Sequence, residues 1–113
     1  MISLSTDISD SAIKKIVDVI VKTQHPQSVF LFGSCARGNS GANSDVDLLI
    51  VKKTNEKKSK RAVSIYRELW NHSIKGTAVD IFVVTPEEME RDQNIPFSFI
   101  SEIISTGKLL YGA

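Results

Sequence analysis

Cysteine is all but missing from this chain: Cys35 stands alone among 113 residues. A single thiol excludes an internal disulfide and any cysteine-built zinc cage, and it suits a reducing cytosol. Net charge is nearly absent as well, at +1, so global charge does not announce a nucleic-acid binder. No apolar run approaches the length of about 20 residues needed to cross a bilayer. Residues 1–10 lack the basic start and apolar centre of a signal peptide. The expected location is therefore the cytoplasm, with no membrane association. Internal repeats and low-complexity tracts are missing too. What remains is ordinary globular composition, 42% hydrophobic and 24% charged, which argues against disorder. The length suits one compact core, expected as a single domain over residues 1–113.

Hydrophobic periodicity divides the chain into alternating helices and strands. Asp10 can cap a helix in which Ile13, Ile16, Val17, Ile20 and Val21 share a face, ending near His25 and Pro26. Residues 28–32 are short, β-branched and aromatic, and read as a buried strand. Residues 34–37 are expected to begin a short helix, and the turn-rich residues 38–44 to lead back into a strand over residues 45–51. A helix is expected over about residues 56–72, with Ala62, Ile65, Tyr66, Leu69 and Trp70 toward the core. Residues 78–84 are apolar almost throughout, which predicts a strand in a covered sheet interior. Thr85, Pro86 and Glu88 supply a capping residue, a proline at the first helical position and an acid three residues after the cap. A helix over about residues 97–105 and a closing strand over residues 108–111 complete an α/β domain with a small mixed sheet flanked by helices.

The chemistry sits between the first two strands. Gly33 and Ser34 follow the first strand, and ten residues later come Asp45, Val46 and Asp47. A glycine there lets the backbone approach a ligand that a side chain would exclude, and a helix starting there aims unpaired N–H groups at phosphate oxygens. Gly33 and Ser34 thus form a phosphate seat, with the Ser34 hydroxyl as an added donor. Asp45 and Asp47 are two apart on a strand, so their carboxylates leave the same face, about 6.6 Å apart at roughly 3.3 Å per residue. Mg²⁺ is commonly held by one or two carboxylates plus substrate phosphate oxygens, so metal and triphosphate are expected to bind together. A third acid, Asp80, lies in a later apolar run. If its strand pairs with that of Asp47, three carboxylates can hold two metals about 3.5–4 Å apart.

Residues 31–38, Leu-Phe-Gly-Ser-Cys-Ala-Arg-Gly, followed by Ser-Asp-Val-Asp-Leu-Leu at 44–49 and by Val79 and Asp80, resemble the signature of the polymerase-beta-like nucleotidyltransferase superfamily. More narrowly, they resemble the minimal nucleotidyltransferases, antitoxin halves of two-gene modules whose toxin is a small helical HEPT-domain ribonuclease. The resemblance covers most of the chain and implies a palm-like fold, transfer of AMP from ATP, and two Mg²⁺ ions. By position it assigns metal binding and catalysis to Asp45, Asp47 and Asp80. The modified group it implies is a hydroxyl of the partner toxin, most plausibly a tyrosine. Cys35 departs from the pattern, since many relatives carry arginine or tyrosine there; this touches a side-chain contact and nothing in the metal site.

Each assignment has a plainer rival. Asp45 and Asp47 could be solvent-facing strand ends, but an acid pair after a glycine-serine turn, with a third acid in an apolar strand, favours the site. Arg37 can reach a triphosphate or lie on a helix surface. Cys35 reads as a packing residue, because no histidine stands in a pairing position. His25 and His72 fall near helix ends, where a cation is favoured, and neither is assigned to catalysis. Lys52, Lys53, Lys57, Lys58, Lys60 and Arg61 form a basic stretch that reads as a solvated face. Two other functions compete with protein adenylylation: transfer to a small aminoglycoside-type molecule, and toxin binding without catalysis. The short chain leaves no room for the helical domain that builds a small-molecule pocket, and a pure binder has no need of clustered, mutually repelling carboxylates.

Overall fold

The computed structural model describes residues 11–33, 46–74 and 78–112. Helix α1 (Ser11–Gln24) carries Ile13, Ile16, Val17 and Ile20 at helical spacing, and all four are buried. It ends where His25 takes a positive φ of 48° ahead of the buried Pro26. Strands β1 (Ser28–Phe32), β2 (Val46–Val51), β3 (Val79–Val84) and β4 (Lys108–Gly112) make one mixed sheet in the order β3-β2-β1-β4. β1 runs antiparallel to β2 and β4, whereas β2 and β3 are parallel. The parallel pair requires a crossover, which α2 (Val63–Asn71) provides.

Alternation along the strands sorts side chains onto two faces. Val29, Leu31, Leu48, Ile50 and Ile81 point toward α1 and α2 and join Ile16, Ile20, Ile65 and Leu69 in the larger core. Each such side chain contributes about 1.5–3 kcal/mol on burial. The opposite face carries Phe30, Phe32, Leu49 and Val84 against Ile100 and Ile103 of α4 (Phe99–Thr106) and Met89 of α3 (Pro86–Gln93). That second cluster is smaller, and Asp47 and Asp80, near the N-terminal ends of β2 and β3 on the same face, lie outside it. Helix α3 starts as its sequence predicts, with a full capping box between Thr85 and Glu88.

Four expectations need correction. The long helix over residues 56–72 is instead a 3₁₀ turn at Lys58–Lys60 followed by α2 from Val63. The Arg61 guanidinium donates to the Glu56 carbonyl at 3.1 Å, folding that stretch back rather than continuing the helix. Tyr66 and Trp70 are not core residues; Trp70 is 66% exposed, and only Ile65 and Leu69 of α2 are buried. Finally, β3 is an edge strand and not a sheet interior. Its apolar run is only partly covered: Ile81 is buried, whereas Phe82 is 43% exposed, and side chains from the preceding segment bond to its backbone. The Ile81 N–H donates to the Tyr66 hydroxyl at 2.8 Å, and Arg61 donates to the Val83 carbonyl at 3.3 Å.

Arg61 also breaks the expectation of a solvated basic face. It is buried and forms a two-pronged ion pair with Glu88, at 2.7 and 3.2 Å. The hydrogen bond from Arg61 holds the Glu88 carboxyl down to about 2 from an ordinary 4.5, against the opposing effect of burial and with help from the Thr85 N–H and the positive charges of Arg61 and Lys58. A folded-state value below the unfolded one contributes stability that is present in full above pH 4.5 and is lost as pH falls toward 2. Urea midpoints measured across that window should therefore decline more steeply for the unaltered protein than for Glu88→Gln, by up to about 3 kcal/mol. Parallel declines in the two proteins would show that the pair does not couple to folding.

Candidate active site

The register of the sheet decides which side chains meet. Phe32 pairs with Asp47 across β1 and β2, and Asp47 pairs with Asp80 across β2 and β3. These three residues form a row on the face opposite α1 and α2, with Phe32 at the edge of the smaller core and the two acids beyond it. Neighbouring strands lie about 4.8 Å apart, so the carboxylates of Asp47 and Asp80 stand side by side. Asp47 is half-buried and Asp80 exposed. One residue beyond Phe32, Gly33 adopts a φ of +77°. A Cβ at Gly33 would collide with Oδ2 of Asp47 and stand 3.3 Å from its Cγ. The Asp47 carboxylate thus lies directly against the Gly33 backbone, in space that only glycine leaves vacant.

Of the residues assigned from sequence, the structure brings Gly33, Asp47 and Asp80 together. Ser34, Cys35, Arg37 and Asp45, with the expected short helix and turn-rich loop, lie outside the described residues, as does Asp10. Among the described residues no cluster of three or more histidine, cysteine or acidic side chains forms. The pair that does form offers oxygen donors only, which suits a hard cation. His25 and His72 take no part. His72 closes α2, its Nδ1 2.8 Å from the Glu68 carbonyl oxygen.

A match to the family model described as Polymerase beta, Nucleotidyltransferase runs over residues 14–113. The chain belongs to the polymerase beta nucleotidyltransferase family. Solved structures agree on the fold. A proposed nucleotidyltransferase from Sulfolobus solfataricus is 27% identical over 72% of this chain and 70% of its own, with a TM-score of 0.55. A toxin–antitoxin structure with AMP-PNP is 20% identical over 88% of this chain and 73% of its own, at a TM-score of 0.59. A mutant of the MntA toxin–antitoxin pair, altered from aspartate to glutamate at two positions, is 18% identical with the same coverage, at a TM-score of 0.52. No match was found among curated proteins.

Sequence reasoning passed over one feature of the site. Phe32, Phe82 and Phe99 pack ring on ring, with centroids 5.3–5.7 Å apart. Phe82 lies two residues beyond Asp80 on the same face, a parity visible in the sequence. Phe99 reaches the cluster from α4, and nothing local to its segment signals that.

Proposed function

We propose that this nucleotidyltransferase transfers AMP from ATP, with Mg²⁺, to a hydroxyl of a partner protein, and that it is the antitoxin of a toxin–antitoxin module. The observation that supports the reading is the contact of Gly33 with Asp47 and the register of Asp47 with Asp80, which bring a glycine turn and two carboxylates together. Asp47, Asp80 and Asp45 would hold the metal, which when bound neutralises phosphate charge and fixes the triphosphate. Gly33 and Ser34 offer backbone and hydroxyl donors to the phosphate oxygens. The acceptor oxygen bonds to the α-phosphorus, the bond from that phosphorus to the bridging oxygen breaks, and pyrophosphate leaves. Asp80, the exposed acid of the pair, has one of two roles here: completing the metal site or accepting the hydroxyl proton.

The toxin–antitoxin neighbours, one of them holding an ATP analogue, support a toxin as the acceptor, and the resemblance to minimal nucleotidyltransferases points to a tyrosine of a HEPT-domain protein. Incubation with ATP, Mg²⁺ and the product of the adjacent gene should add AMP to a tyrosine of that product, read by intact-mass and peptide mass spectrometry. Chelating the metal should weaken ATP binding by calorimetry about tenfold or more, because triphosphate and carboxylates repel without a bridging cation. Efficient adenylylation of an aminoglycoside by the protein alone, with the neighbour unmodified, would replace this reading with the small-molecule one.

A further inference from the structure

The end of the sheet away from Asp47 and Asp80 holds a cavity of about 440 Å³ between α3, α4 and the face they cover. The register pairs Ser28 of β1 with Val51 of β2 there, about 13 Å from the pairing of Phe32 with Asp47 at roughly 3.3 Å per residue. Ser28, Phe30 and Val51 make the floor, and Ile104 of α4 one wall. The other wall is Pro86, Met89, Glu90 and Gln93, the i, i+3, i+4, i+7 face of α3. A face of that spacing ordinarily packs on a core, yet no residue of α3 is buried. It borders open volume instead.

Among the described residues two polar side chains are buried, Arg61 and Ser28. Arg61 is held by Glu88 and by the carbonyls of Glu56 and Val83. Ser28 is 5% exposed, its hydroxyl bonds to no described residue, and the opening it keeps is onto this cavity. A hydroxyl withdrawn from bulk water and left unbonded is costly, and a ligand that bonds it recovers that cost. Gln27, Glu90 and Gln93 around the same volume also make no side-chain hydrogen bond or ion pair among the described residues. Glu90 is the one charged group among the described residues that line it. We propose that this cavity binds a small organic amine: an apolar ring on Phe30, Met89 and Ile104, a protonated nitrogen against Glu90 and the amide oxygens of Gln27 and Gln93, and a polar edge of the ring on Ser28. The lone carboxylate selects a cation over an anion, and Phe30 with the Met89 sulfur favours an aromatic body. The volume falls within the range of about 300–1,000 Å³ usual for small ligands and exceeds what one lysine or arginine side chain of a partner protein fills.

Tryptamine is the probe, a bicyclic ring with one N–H on its edge and one ammonium. Calorimetry with the full chain should show saturable binding, and indole-3-acetate, the same ring with the opposite charge, should bind about tenfold or more weakly. Backbone amide shifts in NMR should concentrate at residues 27–30, 86–93 and 104. Glu90→Gln and Ser28→Ala should each weaken tryptamine by about threefold or more. Neither side chain bonds within the described residues, so the fold is not at issue, and ATP affinity should stay within about twofold in both. Absence of saturable binding at millimolar tryptamine overturns the proposal, as does equal binding of the acid. Unchanged affinity in both variants, with shifts centred on Tyr66 and Trp70, overturns it by placing the amine elsewhere. Displacement of tryptamine by ATP with Mg²⁺ overturns it too, and assigns the amine to the other end of the sheet.

Discussion

Asp47→Asn should abolish nucleotidyl transfer while the protein still folds. The change keeps the shape of the side chain and removes one negative charge from the centre of the row formed with Phe32 and Asp80. A carboxylate holding a divalent cation on a reacting phosphate supplies several kcal/mol of charge stabilisation. A loss of roughly 4 kcal/mol is about 10³-fold in rate. The core does not depend on that charge, because Val46 and Leu48 on either side of Asp47 make their contacts on the opposite face. The melting temperature should stay within a few degrees. Turnover of labelled ATP by a folded Asp47→Asn protein at the unaltered rate would remove Asp47 from the site.

The second large effect is expected at Gly33, where one methyl group meets two obstacles. Alanine at a φ of +77° carries a backbone penalty of about 1–2 kcal/mol, and its Cβ falls on the carboxylate of Asp47. Either the end of β1 or the Asp47 side chain must move. A displacement of about 1 Å at a reacting centre can cost 10²-fold, so Gly33→Ala should lose about a hundredfold in transfer with a modest drop in urea midpoint. Full activity in a Gly33→Ala protein would mean that the turn and the carboxylate are not parts of one site. The two variants separate causes: Asp47→Asn removes charge without moving atoms, whereas Gly33→Ala leaves every charge in place and shifts one.

Local signals determined much of this molecule. The helical spacing of Ile13, Ile16, Val17 and Ile20, the capping pair Thr85 and Glu88, and the short apolar runs of β1 and β2 act within a few residues, so they are legible before any tertiary contact exists. The candidate site was legible for the same reason: Gly33 and Asp47 flank one strand-to-strand connection, and their types declare phosphate and metal chemistry. What only the folded chain decided depends on partners distant in sequence. Whether Asp80 joins Asp47 turns on the parallel register of β2 and β3, which no local pattern encodes. The apolar run of β3 looked internal because its side chains are apolar, but strand order is set by pairing: β3 pairs with β2 alone, and Phe82 is left 43% exposed. The long helix over residues 56–72 failed because Arg61 finds Glu88 from another element and folds its own segment back onto the Glu56 carbonyl. The cluster of Phe32, Phe82 and Phe99 was invisible for the same physical reason: Phe99 joins it only once α4 docks on the sheet, and docking is a property of two surfaces rather than of either sequence alone.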